Sequence, residues 1–228
     1  MKNDALAGLG LLRERFDHVG VLGHSEGGSI ALMLAAEGKA DFVISLAGMV
    51  ASGSETLLDQ NRRALQMAGL SESETDNYCR FLADAYGAVV NAMPLPSPDN
   101  YCLPAGLKQN ASMLSASLKT PYMKYFLGMN VSDILGSVKC PVMALNGTKD
   151  TQVDCDRNLS LLRQGLSGGY TFADESSVNV VKAEIGLNHL FQHCRTGEVS
   201  EYKEIEETFS PEVLTEMITW LHLRLSQK

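Results

Sequence analysis

Residues 19–28 read Val19-Gly20-Val21-Leu22-Gly23-His24-Ser25-Glu26-Gly27-Gly28, and this stretch decides the fold. A short apolar run ends in Gly-x-Ser-x-Gly. The helix-forming segment Ser29-Ile30-Ala31-Leu32-Met33-Leu34-Ala35-Ala36-Glu37 follows at once. Strand, sharp turn and helix, in that order, are the setting of a nucleophile elbow, in which the turn lifts a serine to the top of a sheet in strained backbone. Gly23 and Gly27 are expected where any Cβ would collide with the neighbouring strand or helix. The helix start then points its N–H groups, and the positive end of its dipole, at the Ser25 oxygen and at charge forming beside it. A bare Gly-x-Ser-x-Gly arises by chance in about one chain in ten of this length, so the flanking patterns carry the weight. The competing reading is the strand-to-helix turn of a nucleotide-binding unit, with Ser25 as helix N-cap. The glycine spacings of such units are absent, and no lysine follows to hold phosphate.

The rest of the chain repeats the alternation. Upstream, Leu6, Leu9, Leu12, Arg13 and Phe16 lie near helical spacing over residues 4–16. The first strand is expected over 19–22 and the helix over 26–37, closed by Gly38 at the position where helices favour glycine. Residues 42–47 are almost continuously apolar, as suits a parallel strand covered on both faces. Residues 141–146 and 179–185 read as two more strands, with a helix over 156–166 between them. The last helix is announced by Ser210 as N-cap, Pro211 at the first helical position and Glu212 on the dipole. Phe209 and Leu214 are expected to form a hydrophobic staple, and Leu214, Ile218, Leu221 and Leu225 one apolar stripe. Between about 51 and 136 the pattern is helical, polar and rich in Met, Ser and Asn. That span is too long for a crossover and reads as an inserted helical cap. The expectation is an α/β fold: a doubly wound, mostly parallel sheet from 1–50 and 137–228, with a cap at 51–136.

Bulk properties narrow the function. The 228 residues include 19 basic and 27 acidic side chains, for a net charge of −8. Nucleic acid and anionic membrane are poor main partners for such a chain. No apolar run reaches the length of a membrane span. Cys79, Cys102, Cys140, Cys155 and Cys194 are odd in number and lack Cys-x-x-Cys spacing, which speaks for free thiols rather than zinc or a disulfide framework. Met1-Lys2-Asn3-Asp4 leads straight into an amphipathic segment without a signal-peptide pattern.

A serine hydroxyl needs a base to take its proton and an acid to orient that base. Asp150 falls just beyond the third strand, in Asn146-Gly147-Thr148-Lys149-Asp150-Thr151-Gln152-Val153. His189 falls just beyond the fourth, in Gly186-Leu187-Asn188-His189-Leu190-Phe191. Both therefore belong to the carboxyl edge of the sheet, where chemistry collects in open α/β sheets and where Ser25 stands. Asp154 and Asp156 are rivals to Asp150, but they fall closer to the next helix and suit its N-terminus. His193 is the rival base. His24, inside the elbow, is expected to pack or hydrogen-bond rather than take the Ser25 proton. His18 and His222 have no chemical context.

With these residues in place, the chain resembles the α/β-hydrolase superfamily, in particular bacterial cap-bearing esterase-like hydrolases. The matching stretches are 23–28, 45–49 (Ser-Leu-Ala-Gly-Met), 146–153 and 187–192 (Leu-Asn-His-Leu-Phe-Gln). The resemblance implies Ser25 as nucleophile, Asp150 as acid and His189 as base, in the chain order of that superfamily. It implies the backbone N–H of Glu26 as one oxyanion-hole donor. It also implies a small-molecule acyl substrate, an ester first and a peptide, thioester or acyl-transfer substrate second, with no cofactor or metal. Leu57, Leu58, Met67, Leu70, Tyr86, Met93, Tyr122, Met123, Phe126 and Met129 of the cap would wall an acyl pocket or simply pack between cap helices. One departure stands out. Such hydrolases carry four more strands before the elbow strand, whereas about 18 residues precede it here. The expectation is the carboxyl-terminal part of a larger hydrolase, lacking the loop of the second oxyanion donor, with a rate cost of about 10²–10³. The elbow strand would then be a raw sheet edge, which a homodimer would cover. A non-catalytic binding protein on this fold is the remaining alternative. The compartment stays open: cytoplasm for a chain complete at Met1, export for one whose missing part carried the signal.

Overall fold

A computed structural model describes residues 1–166 and 179–225, the side chain of Leu225 excepted. Two units form. One comprises Met1–Ala51 and Val131–Lys228, the other Ser52–Asn130.

The first unit is built on four parallel strands in the order β1 (Val21–His24), β2 (Val43–Leu46), β3 (Val142–Gly147) and β4 (Val180–Glu184). Their register aligns Leu22 with Ile44 and Ile44 with Met143. Strand β1 starts later than expected because Val19 is engaged before the ladder begins: its N–H donates to Asp41 Oδ2 at 2.8 Å and its C=O accepts from Asp41 N at 2.9 Å. Alternation along the strands sends Ile44, Leu46, Met143 and Leu145 to one face. There they pack with Val213, Met217 and Trp220 of helix α8 (Pro211–Leu225). The other face carries α2 (Glu26–Ala36) and α7 (Cys155–Gly165), while α1 (Lys2–Arg13) packs on α2 through Leu9, Ile30 and Leu34. Helix α2 ends as the sequence leads one to expect: Gly38 has φ +67°, and Lys39 N donates to Leu34 O at 2.8 Å.

Two further details differ from expectation. The buried face of α8 is Val213, Met217 and Trp220, whereas Leu214 is 45% and Ile218 53% exposed. The apolar residues of α8 cover a wide arc opposite Glu212, Thr215, Thr219 and His222, so two stripes share the same period. Trp220 decides between them by filling the space under β2–β4, where it is fully buried. Leu221 is partly buried at the seam, and the Leu225 side chain lies outside the described residues. Residues 131–136, expected in the insertion, belong to the sheet unit, where Ser132 N donates to Val50 O at 3.0 Å and Leu135 is fully buried.

The second unit holds four helices: α3 (Gly53–Met67), α4 (Glu72–Val90), α5 (Ala105–Leu118) and α6 (Pro121–Gly128). Ser52 with Glu55, and Ser71 with Glu74, form reciprocal capping boxes that fix the starts of α3 and α4. The unit has its own core around Phe81, Leu82, Tyr86, Leu118 and Leu127. Leu57, Leu58 and Met123 pack on that core, whereas Met67, Met93 and Tyr122 are exposed.

Candidate active site

The elbow begins with backbone. Ser25 closes β1 and opens α2 at φ 55°, ψ −122°, a region that L residues rarely occupy. Its N–H donates to Leu46 O at 2.8 Å, which continues the parallel ladder one residue beyond β1 and pins the strained residue. The turn is tight because glycines let backbones meet. A Cβ on Gly23 would lie 2.0 Å from Gly27 O, and one on Gly28 would lie 2.8 Å from Gly48 Cα. Glu26 is the first residue of α2, so its amide stands at the positive end of the helix beside Ser25.

Asp150 and His189 meet although 39 residues separate them. His189 Nδ1 lies 2.7 Å from Asp150 Oδ2, and both side chains are almost wholly withdrawn from solvent, at 5% and 0% exposure. The second carboxylate oxygen of Asp150 accepts from Gln152 N at 2.8 Å and Val153 N at 2.9 Å. The acid is therefore held on one side by its own turn and on the other by the imidazole. The His189 loop is equally fixed. Asn188, fully buried, accepts from Leu190 N and Gln192 N at 2.9 and 3.0 Å. Phe191 takes a positive φ of 58° and stacks on Phe209 at 5.4 Å. Gly147 lets the two loops close, since a Cβ there would lie 2.2 Å from Leu187 O.

A carboxylate locked on one imidazole nitrogen fixes the tautomer and leaves the other nitrogen to exchange protons. Ser25 lies at the same sheet edge, at the end of β1, as the Asp150 and His189 loops lie at the ends of β3 and β4. Among the described residues no hydrogen bond joins Ser25 Oγ to His189; such bonds are often long before substrate binds.

No protein-family model and no curated protein matches the chain. Its architecture does have counterparts. A carboxylesterase of the ammonia-oxidizing thaumarchaeon Nitrososphaera gargenis is similar, with 17% identity, a TM-score of 0.50, and coverage of 100% of this chain and 74% of that one. The chain has the α/β-hydrolase fold. An esterase of Pyrococcus furiosus is also similar in two crystal forms, at 15% identity, with 81% and 97% of this chain covered and TM-scores of 0.41 and 0.47. This chain spans 51% and 60% of the length of those two chains.

Within the hydrolase fold one expected elbow residue changes role. Gly27 was expected to be crowded, but a Cβ there would meet nothing within 4 Å. The side-chain direction of Gly27 leads off α2 into open space, and its backbone rather than its missing Cβ is what Gly23 accommodates. The crowded partner is Gly28, which packs on Ser45 of β2 and on Gly48 just beyond that strand. The rivals of the dyad are otherwise employed. Asp154 caps α7 by accepting from Arg157 N at 2.7 Å, and Asp156 sits in the first turn of that helix. The His193 side chain is 59% exposed and lies 3.1 Å from Glu207. His193, Glu207 and Glu212 bring ligand-type atoms within 4.8 Å of one another, but Glu207 already accepts from His193 N and Glu212 from Ser210 Oγ. Cys155, close to Asp150 in sequence, is no competing nucleophile: burial above all, then the carboxylates of Asp156, Asp150 and Asp154, pushes its thiol up to about 12. All five cysteines are free.

The sequence alone assigns no part to Gly147, Asn188 or Phe191. Asn188 next to a candidate base was the one visible sign, since a buried asparagine commonly closes a turn with its side chain.

Proposed function

We propose that the chain is a serine hydrolase that cleaves carboxylic esters through an acyl-enzyme on Ser25. The observation that carries this reading is the buried Asp150–His189 pair at 2.7 Å, on the sheet edge where the elbow strand ends in a left-handed serine. Ser25 Oγ attacks the acyl carbon while His189 Nε2 takes its proton. The Glu26 amide, at the head of α2, stabilises the oxyanion that forms. His189 then passes the proton to the departing alcohol, leaving the acyl group esterified to Ser25. Water attacks this ester, gives a proton to His189, and the acid leaves as Ser25 recovers that proton. Asp150 accepts from Nδ1–H throughout, holding the tautomer and stabilising the imidazolium.

The test compares an aryl ester, a thioester and an aminoacyl anilide of matched acyl size. Turnover of the ester is expected, with Ser25→Ala reducing it to background. Activity confined to the anilide contradicts the ester reading and leaves the peptidase alternative in its place.

A further inference from the structure

His24, the residue before the elbow serine, is held by a hydrogen bond that the mechanism above does not use. It ends β1, so the ladder that positions Ser25 also fixes the backbone of His24. Its Nε2 lies 2.7 Å from the backbone oxygen of His189, across 165 residues of sequence. The two imidazole rings stand 4.6 Å apart at 52°, and Phe191 meets the His24 ring edge-on at 6.4 Å.

A carbonyl oxygen only accepts, so Nε2 of His24 carries the hydrogen. Burial acts first on this ring and lowers its pKa from the ordinary 6.5, with the His189 ring acting the same way and the His189 carbonyl and Asp150 acting against. A neutral ring suits the place, because His189 becomes an imidazolium during the reaction and a second cation beside it would oppose that charge. Among the described residues Ser25 Oγ and His189 share no hydrogen bond, so the His24 bond is what ties the elbow strand to the base loop.

We propose that His24 is a positioning residue whose Nε2–H clamps the backbone of the catalytic base loop to the elbow strand, setting the register between Ser25 and His189. The proposal rests on the reading of Ser25 and His189 as nucleophile and base. A glutamine at 24 offers a neutral N–H of comparable reach. A phenylalanine keeps the ring and loses the donor.

The experiment measures ester turnover for wild type, His24→Phe and His24→Gln, with nitrogen-15 imidazole spectra of the wild type at pH 7.5. The His24→Phe variant is expected to lose about tenfold in kcat with KM unchanged, as one missing hydrogen bond would give, and His24→Gln to recover most of it. The spectra are expected to show His24 with the proton on Nε2. Wild-type kcat in His24→Phe, no recovery in His24→Gln, or a proton on Nδ1 would overturn the clamp. A wild type that turns over no ester and takes no fluorophosphonate overturns the catalytic reading instead, and the positioning role with it.

Discussion

Ser25 stores strain that can be measured. A non-glycine residue at φ 55°, ψ −122° costs about 1–3 kcal/mol. Ser25→Gly is expected to raise the unfolding free energy by about 1 kcal/mol while abolishing activity, and Ser25→Ala to abolish activity without that gain. Urea unfolding of the three proteins checks it. His24 carries a pH dependence of definite sign. Its folded pKa is lowered from 6.5, chiefly by burial, so in the window below 6.5 the unfolded chain binds more protons. The stability that comes from burying it neutral is complete above pH 6.5 and fades as pH falls through that value. The advantage of wild type over His24→Gln in urea midpoint is expected to shrink between pH 7.5 and pH 5. Ser25, Asp150 and His189 are legible in the sequence as candidates because each falls within a few residues of the end of an apolar run. The parts of Gly28 and Gly147 and the partner of His24 are not legible there, because they depend on backbones that are distant in sequence and meet only after folding.

Among the elements, α8 shows what periodicity can and cannot decide. Its start was plain from Ser210, Pro211 and Glu212, and Val213 N does donate to Ser210 Oγ, at 3.3 Å. Its buried face is not decided by the pattern, because a wide apolar arc offers more than one stripe of the same period. The bulk of Trp220 settles which stripe turns inward, and Glu216, 9% exposed, is accommodated on the inward side by Lys182 at 2.5 Å. Trp220→Ala is expected to cost about 3–5 kcal/mol and Ile218→Ala, 53% exposed, no more than about 0.5. The opposite ranking in chemical denaturation would restore the stripe expected from Leu214 and Ile218. The Gly38 closure of α2 was legible for a simpler reason: a left-handed position after a helix is a local demand that glycine meets locally.

At the scale of the molecule, the sequence made the α/β class and the parallel sheet readable, because strand and helix periods alternate cleanly on both sides of the 52–130 helices. Strand order and the raw edge follow from long-range pairing. Among the described residues strand β1 ends the four-stranded sheet, and Leu22 on it is 54% exposed, on the face where Ile44 meets α8. An edge strand with an exposed leucine offers itself to another chain. We propose that a second copy of the chain covers this edge; Leu22→Lys is then expected to lower the light-scattering mass toward that of one chain and to leave the urea midpoint nearly unchanged, and a wild type that already scatters as one chain contradicts the proposal.

Covalent trapping asks whether Ser25 is a nucleophile served by the Asp150–His189 pair. A fluorophosphonate incubated with wild type, Ser25→Ala and Asp150→Asn is followed by intact mass and peptide mapping. One adduct per chain is expected on the peptide bearing Ser25, none in Ser25→Ala, and labelling slowed by about 10³–10⁴ in Asp150→Asn. An adduct on another residue, or wild type labelling no faster than Ser25→Ala, would contradict it.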